Sequence, residues 1–331
     1  MAIEMGRKKS EVAAYTYKPM RNTSVNMDFK HELESLKEQL TFNGRIKDTN
    51  YDNIVIAGMG GSGMPGRIFH ELYSEKPVYL VDDYHIPNFV GPRTLFISVS
   101  NSGNTEETIS ATKQAVEKGA HIVTISKGGE LVKYGDEHII LPKKNLQPRS
   151  SIGYMLAPFL SSFGICTQKE LLGVYKILDE LDKDNEECKQ YAVEIFKGEK
   201  IPVIQGSAPF KTVAYRWKTQ FNENAKIFAY ANSFPELNHN DTVALTHTYN
   251  KKAFFFFAFN PQYERIKKRL ALTSELTNTE LHVIDAKGKN TIEKLFYLMH
   301  YGDYISYHLS KLRGLDAKDI SVSLEMKRRL A

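Results

Sequence analysis

The feature that most constrains this chain is the apolar run Asn53-Ile54-Val55-Ile56-Ala57, which stops abruptly on Gly58-Met59-Gly60-Gly61-Ser62-Gly63. A short, uninterrupted apolar run bounded by glycines is the pattern of a strand buried on both faces, and parallel sheets bury strands in that way. The glycines let the backbone turn tightly into a helix and bring its N–H groups close to an anion. Four similar runs follow at Val78–Val81, Thr94–Ser98, His121–Ile125 and His138–Leu141, with helix-length segments between them, notably Glu106 to Lys118. Strands alternating with helices in this manner predict a doubly wound α/β sheet, which binds ligands at the carboxyl ends of its strands.

The pattern is repeated in the second half. A leading helix is expected from Phe29 to Leu40, where Leu33, Leu36 and Leu40 share a face, and residues 1–28 read as an N-terminal arm. From Leu156 to Lys197 the sequence turns helical and charged. Strands then resume at Ile201–Gly206, Lys226–Tyr230, Ala253–Ala258 and Glu280–Ile284. The expected fold is therefore α/β with two doubly wound parallel-sheet domains, residues 29–180 and 181–331, the second ending in a helical segment. A chain of 331 residues is long enough to bury both cores.

Composition removes several classes of function. A net charge of +5 from 44 basic and 39 acidic side chains is small, and the short basic runs Arg7-Lys8-Lys9 and Lys327-Arg328-Arg329 lie near the two ends, so no nucleic-acid stripe is expected. Cys166 and Cys188 are the only cysteines, which make neither a disulfide framework nor a CxxC metal site. No HxxxH, HExxH or cysteine-rich set stands at metal-ligand spacing, and no metal is expected. Met1 to Lys9 carries no apolar signal region and no stretch is long enough to span a bilayer, so a soluble, cytoplasmic protein without membrane partners is expected.

Gly58 to Gly63 fits GxGxxG, and Asp82 and Asp83 close the next strand, so a dinucleotide-binding reading competes here. A second loop decides against it. Ser98-Val99-Ser100-Asn101-Ser102-Gly103-Asn104-Thr105-Glu106-Glu107-Thr108 packs hydroxyls around a glycine after the third strand, which a dinucleotide fold does not need. Ser100, Ser102 and Thr105 can donate to phosphate oxygens, as can Ser62 from the first loop, while Gly60 and Gly61 offer backbone. A helix N-cap alone would explain Thr105 and leave Ser100 and Ser102 without a purpose.

Ser100 to Thr108 matches without a gap the SxSGNTxET phosphate loop of the sugar isomerase (SIS) domain family. Together with Gly58 to Gly63 and Pro148-Arg149-Ser150-Ser151-Ile152-Gly153-Tyr154, it resembles the bifunctional phosphoglucose/phosphomannose isomerases of archaea and some bacteria, from about Lys30 onward. The resemblance implies flavodoxin-like SIS domains, a hexose 6-phosphate substrate and an aldose–ketose isomerisation that uses no cofactor. It assigns the proton-transferring base to Glu223 in Phe221-Asn222-Glu223-Asn224-Ala225-Lys226, with Glu236 the rival carboxylate. It assigns His239 to the ring oxygen, donated across the interface of a homodimer, Lys318 to ring opening, and Arg149 to the developing enediolate. The sequence carries Ser150-Ser151 and Asp316-Ala317 where relatives commonly carry two small apolar residues and Asp-Pro. Acceptance of both epimers depends on the C2 side of the pocket near Arg313, where Ser310 and Lys311 stand. A non-catalytic sugar-phosphate sensor and an NAD-dependent dehydrogenase are the alternatives from other classes.

Overall fold

The computed structural model describes residues 23–330. Of the expected N-terminal arm, residues 1–22 lie outside the described residues, and the chain from Thr23 is helical. The leading helix is divided into α1 (Thr23–Glu34) and α2 (Leu36–Gln39), and Phe29, Leu33, Leu36 and Leu40 are all buried as their spacing requires.

The first sheet unit runs β1 (Asn53–Ala57), α3 (Gly60–Leu72), β2 (Val78–Val81), β3 (Thr94–Ser100), α4 (Glu106–Glu117), β4 (His121–Ser126) and β5 (Glu137–Ile140). Its strands are parallel in the order β2-β1-β3-β4-β5. Every residue of β3 is buried, as a central strand covered on both faces demands. The order reverses between β1 and β3, so the two loops singled out in the sequence, which leave the carboxyl ends of those strands, lie side by side at the switch point.

Three helices follow, α5 (Ile152–Ser162), α6 (Gln168–Lys183) and α7 (Glu186–Lys197). Thr167 and Glu170 start α6 with a reciprocal capping box. The second unit runs β6 (Ile201–Gly206), α8 (Lys211–Asn224), β7 (Tyr230–Ser233), α9 (Asp241–His247), β8 (Phe254–Phe259), α10 (Glu264–Thr277), β9 (Leu281–Ile284), α11 (Thr291–Leu312) and α12 (Ser321–Leu330). Its sheet, also parallel, has the order β7-β6-β8-β9 and so repeats the winding of the first. The strand expected at Lys226–Tyr230 begins at Tyr230 instead. Lys226 takes a left-handed backbone conformation, φ +53°, which turns the chain before the strand can start.

α11 is the centre of the molecule. It packs against α6, α7 and α8 and is buried along most of its length, with its N-terminus capped by Asn290, whose side chain accepts from Glu293 N. One continuous apolar cluster runs from Ile54 and Phe69 in the first unit through α11 to Ile204 and Phe257 in the second. Trp217 of α8 is fully buried between Phe257, Phe259 and Tyr301, and its indole N–H donates to the Leu298 carbonyl at 2.7 Å. The units are also joined by a polar clamp: the Glu71 carboxylate at the end of α3 accepts from Lys211 N and Thr212 N, both at 2.7 Å, at the start of α8. A carboxylate at a helix N-terminus satisfies otherwise orphaned donors and is favoured by the helix dipole.

Candidate active site

The two glycine loops form the candidate anion cradle. Ser62, in the first turn of α3, is buried, and its Oγ accepts from Asn101 N at 3.0 Å, which ties the first loop to the second. Ser100 Oγ accepts from Gly103 N at 3.0 Å and shares a 2.8 Å hydroxyl–hydroxyl bond with Thr105, while Ser102 Oγ accepts from Asn104 N at 3.2 Å. Thr105 occupies the N-cap position of α4, yet its side chain does not cap the helix, so the first-turn N–H groups of α4 are not capped by it. Gly103 is the residue this turn requires: φ is +73°, and a Cβ would stand 1.7 Å from the Gly128 carbonyl oxygen. Gly60 also has positive φ.

Gly61 connects the cradle to the rest of the site, since a Cβ there would meet Arg149 N at 2.7 Å. The Pro148–Arg149 backbone lies directly on the first loop at Gly61. Asp82, the candidate ribose ligand of that reading, is engaged by Arg67.

Arg149 is only 2% exposed, and its three guanidinium nitrogens reach three acceptors on two segments, the end of α8 and the loop after α11. Nε donates to Asn224 Oδ1 at 2.7 Å, Nη1 to Glu223 Oε2 at 3.1 Å, and Nη2 to the Ala317 carbonyl at 2.6 Å. Its face lies 5.7 Å from the Phe29 ring centroid. Burial pushes the guanidinium pKa down from its ordinary value, and Glu223 and Glu32 oppose that shift. A guanidinium stays charged through such a shift, and its planar fork suits several fixed acceptors at once.

Glu223 lies in the last turn of α8 with its carboxylate side chain 40% exposed. Lys318 lies in the loop after α11, where its ammonium pairs with Glu32 Oε1 of α1 at 3.0 Å; Glu32 is buried, and its Oε2 accepts from Gln147 N at 3.0 Å. Arg149, Glu223 and the Lys318 loop are thus brought together. His239 and Glu236 are not: both are exposed on a short 3₁₀ turn after β7, and among the described residues no hydrogen bond or ion pair joins His239 to the Arg149 group.

The support behind Arg149 is a polar stripe on α8. Arg216, Gln220 and Asn224 are spaced by four and share one buried face. Arg216 pairs with Asp303 at 2.7 Å and donates to the Arg149 carbonyl at 3.3 Å, Gln220 donates to Asp303 at 2.8 Å, and Asn224 donates to Ser306 at 3.0 Å. On the other side, Gln39 donates to the Ser150 carbonyl at 2.7 Å and accepts from Gly153 N at 2.9 Å.

Glu32, Asn224, Arg216 and Lys226 were not marked as site residues by sequence reasoning. Glu32 had a signal: it stands four residues before Leu36, on the apolar face of the leading helix, where a carboxylate needs a partner. The cysteines take no part. Cys166 is pushed up to about 11 and Cys188 further, both chiefly by burial, which keeps them as unreactive thiols.

Two doubly wound parallel sheets, with a hydroxyl-lined glycine loop at the switch point of the first, define a SIS-domain protein. Residues 184–330 match the family described as "Bacterial phospho-glucose isomerase C-terminal SIS domain". Among solved structures, glucosamine-6-phosphate deaminase from Thermotoga maritima superposes with a TM-score of 0.71 at 16% identity, covering 89% of this chain and 96% of that one. The C-terminal domain of glucosamine-fructose-6-phosphate aminotransferase from Francisella tularensis gives 0.65 at 15% identity, covering 88% and 97%. At such identities the likeness is one of fold.

Sequence relatives are nearer. The bifunctional phosphoglucose/phosphomannose isomerase of Thermoplasma volcanium is 52% identical over 92% of this chain and 100% of its own length. That of Thermoplasma acidophilum is 49% identical over 92% and 98%. The chain belongs to the bifunctional phosphoglucose/phosphomannose isomerase family.

Proposed function

We propose that this sugar-phosphate isomerase interconverts glucose 6-phosphate and mannose 6-phosphate with fructose 6-phosphate through a cis-enediolate. The observation that carries the reading is the Arg149 guanidinium, which holds the Glu223 carboxylate and the Lys318 loop in one constellation beside the anion cradle.

The substrate phosphate sits on Ser62, Ser100, Ser102 and Thr105 with the backbone of Gly60 and Gly61, and this anchors the sugar's far end. Lys318 and His239 move the proton at the ring oxygen that opens the pyranose. Glu223 takes the C2 proton of the open aldose and returns it to C1, while a hydroxyl proton passes between O1 and O2. No electron leaves the substrate, so the step needs no redox partner. Negative charge develops on the enediolate oxygens only during proton transfer, and a preorientated cation such as Arg149 stabilises that state more than the ground state.

His239 is exposed and unconnected to this group within one chain. We take it to serve the site of a second copy, which makes the active form a homodimer in the cytoplasm. Each sheet with its helices forms one domain; the expected boundary at 180/181 falls inside α6, and we draw the division at the end of that helix. No described helix is long and apolar enough to cross a membrane.

The direct test is turnover of fructose 6-phosphate with the two aldose products followed separately. A sensor would bind the sugar phosphate and release neither product.

A further inference from the structure

We propose that Lys226 is a positioning residue: it ties the loop that carries Lys318 to the end of the helix that carries Glu223, and so sets the spacing of those two side chains across the sugar. The inference rests on the isomerase reading above and adds a residue to it.

Lys226 is half-buried just past α8, and its ammonium donates to two backbone carbonyls, Glu223 O at 2.5 Å and Ala317 O at 3.5 Å. Ala317 is fully buried, stands next to Lys318, and its carbonyl also accepts from Arg149. One carbonyl oxygen is therefore the junction of the base helix, the enediolate-facing arginine and the ring-opening loop. The backbone of Lys226 is in the left-handed region, φ +53°, which is sterically costly for a non-glycine residue. A glycine would relieve that cost and lose both carbonyl contacts, so backbone conformation gives no reason for a lysine here. The side-chain contacts give one.

The charged groups around the ammonium are Arg149, Glu223, Asp316 and Asp319. Burial, and then Arg149, push Lys226 down to about 8, against the three carboxylates. A neutral amine holds carbonyl oxygens less tightly than an ammonium does. The tether therefore loosens as pH rises through that value.

The test compares wild type with Lys226→Met, Lys226→Gly and Lys226→Arg by steady-state kinetics on fructose 6-phosphate, from about pH 6 to about pH 10 across the lysine range. Amide hydrogen exchange of residues 315–320 is read in parallel. Misplacing catalytic groups by about 1 Å costs up to about 10²-fold. Lys226→Met is expected to lose kcat by about 10- to 100-fold with KM little changed, because the phosphate cradle is untouched. Lys226→Gly loses kcat as much, although its thermal midpoint equals or exceeds that of Lys226→Met. Lys226→Arg is expected to keep most of the activity and to lack the decline expected of wild type above about pH 8.

Wild-type kcat in Lys226→Met, or a loss confined to KM, would overturn the proposal. Unchanged protection of residues 315–320 in Lys226→Met would overturn it independently of turnover. A wild-type protein without isomerase activity that still loses this protection on substitution would instead sink the isomerase reading and the positioning role with it, leaving the tether as a purely structural contact.

Discussion

Arg149 Nη1 donates to Glu223 Oε2 at 3.1 Å, joining the segment that lies on the first sheet's glycine loop to the last turn of α8 in the second unit. One carboxylate oxygen is held by a buried cation while the side chain keeps 40% of its surface open. That arrangement orients the carboxylate proposed as the base without burying it. Arg149→Lys keeps the charge but cannot reach Asn224, Glu223 and Ala317 together. It is expected to lower kcat by about 10²-fold or more, the scale for losing one transition-state donor, with a smaller change in KM. Steady-state rates on fructose 6-phosphate check this.

Behind Arg149, the Arg216–Asp303 pair is almost wholly buried. Removing one partner leaves the other charge uncompensated. Arg216→Met should therefore destabilise the fold by about 3–5 kcal/mol in urea titrations, and the double variant Arg216→Met/Asp303→Leu should recover a large part of the loss.

His239 and Glu223 make a prediction about assembly. If His239 serves the site of a second copy, His239→Ala and Glu223→Gln are each nearly inactive, yet unfolding and refolding them together restores activity. In a mixed dimer one site carries both substitutions and the other neither. The expected yield is about a quarter of the wild-type rate by random pairing of equal amounts. Mixtures that stay inactive would place His239 and Glu223 in the same chain's site.

How much of this was legible in the sequence follows from the range of each interaction. β1 and the loop from Ser100 to Thr108 were readable because strand burial, tight turns and hydroxyl placement are written in neighbouring residues. The second sheet was equally accessible as a repeated series of strands, although its strand order was not. Lys226–Tyr230 misled because its hydrophobic pattern is that of a strand, whereas the ammonium's contacts with Glu223 O and Ala317 O hold the backbone in a turn. Glu32, Arg216 and Asn224 have partners more than 60 residues away, at Lys318, Asp303 and Ser306. Local pattern could flag a buried polar side chain but could not name its partner.

Lys226 also makes stability depend on pH. Its folded value is about 8 against an ordinary 10.5, so between these pH values the unfolded chain binds a proton that the folded chain has released. Stability contributed by this group therefore rises with pH across that window and is flat outside it. The thermal midpoint of wild type, compared with Lys226→Met at each pH, should shift in favour of wild type from about 8 to about 10.5. A difference that stays constant across the window would contradict the depressed value.

The most direct measurement follows purified wild type and Glu223→Gln with fructose 6-phosphate in the presence of EDTA, monitoring glucose 6-phosphate and mannose 6-phosphate by separate coupling enzymes. Wild type should form both aldoses, and Glu223→Gln should form them about 10²- to 10⁴-fold more slowly while still binding the sugar phosphate. Folded wild-type protein that forms neither aldose, or a Glu223→Gln variant that keeps the wild-type rate, would contradict the account.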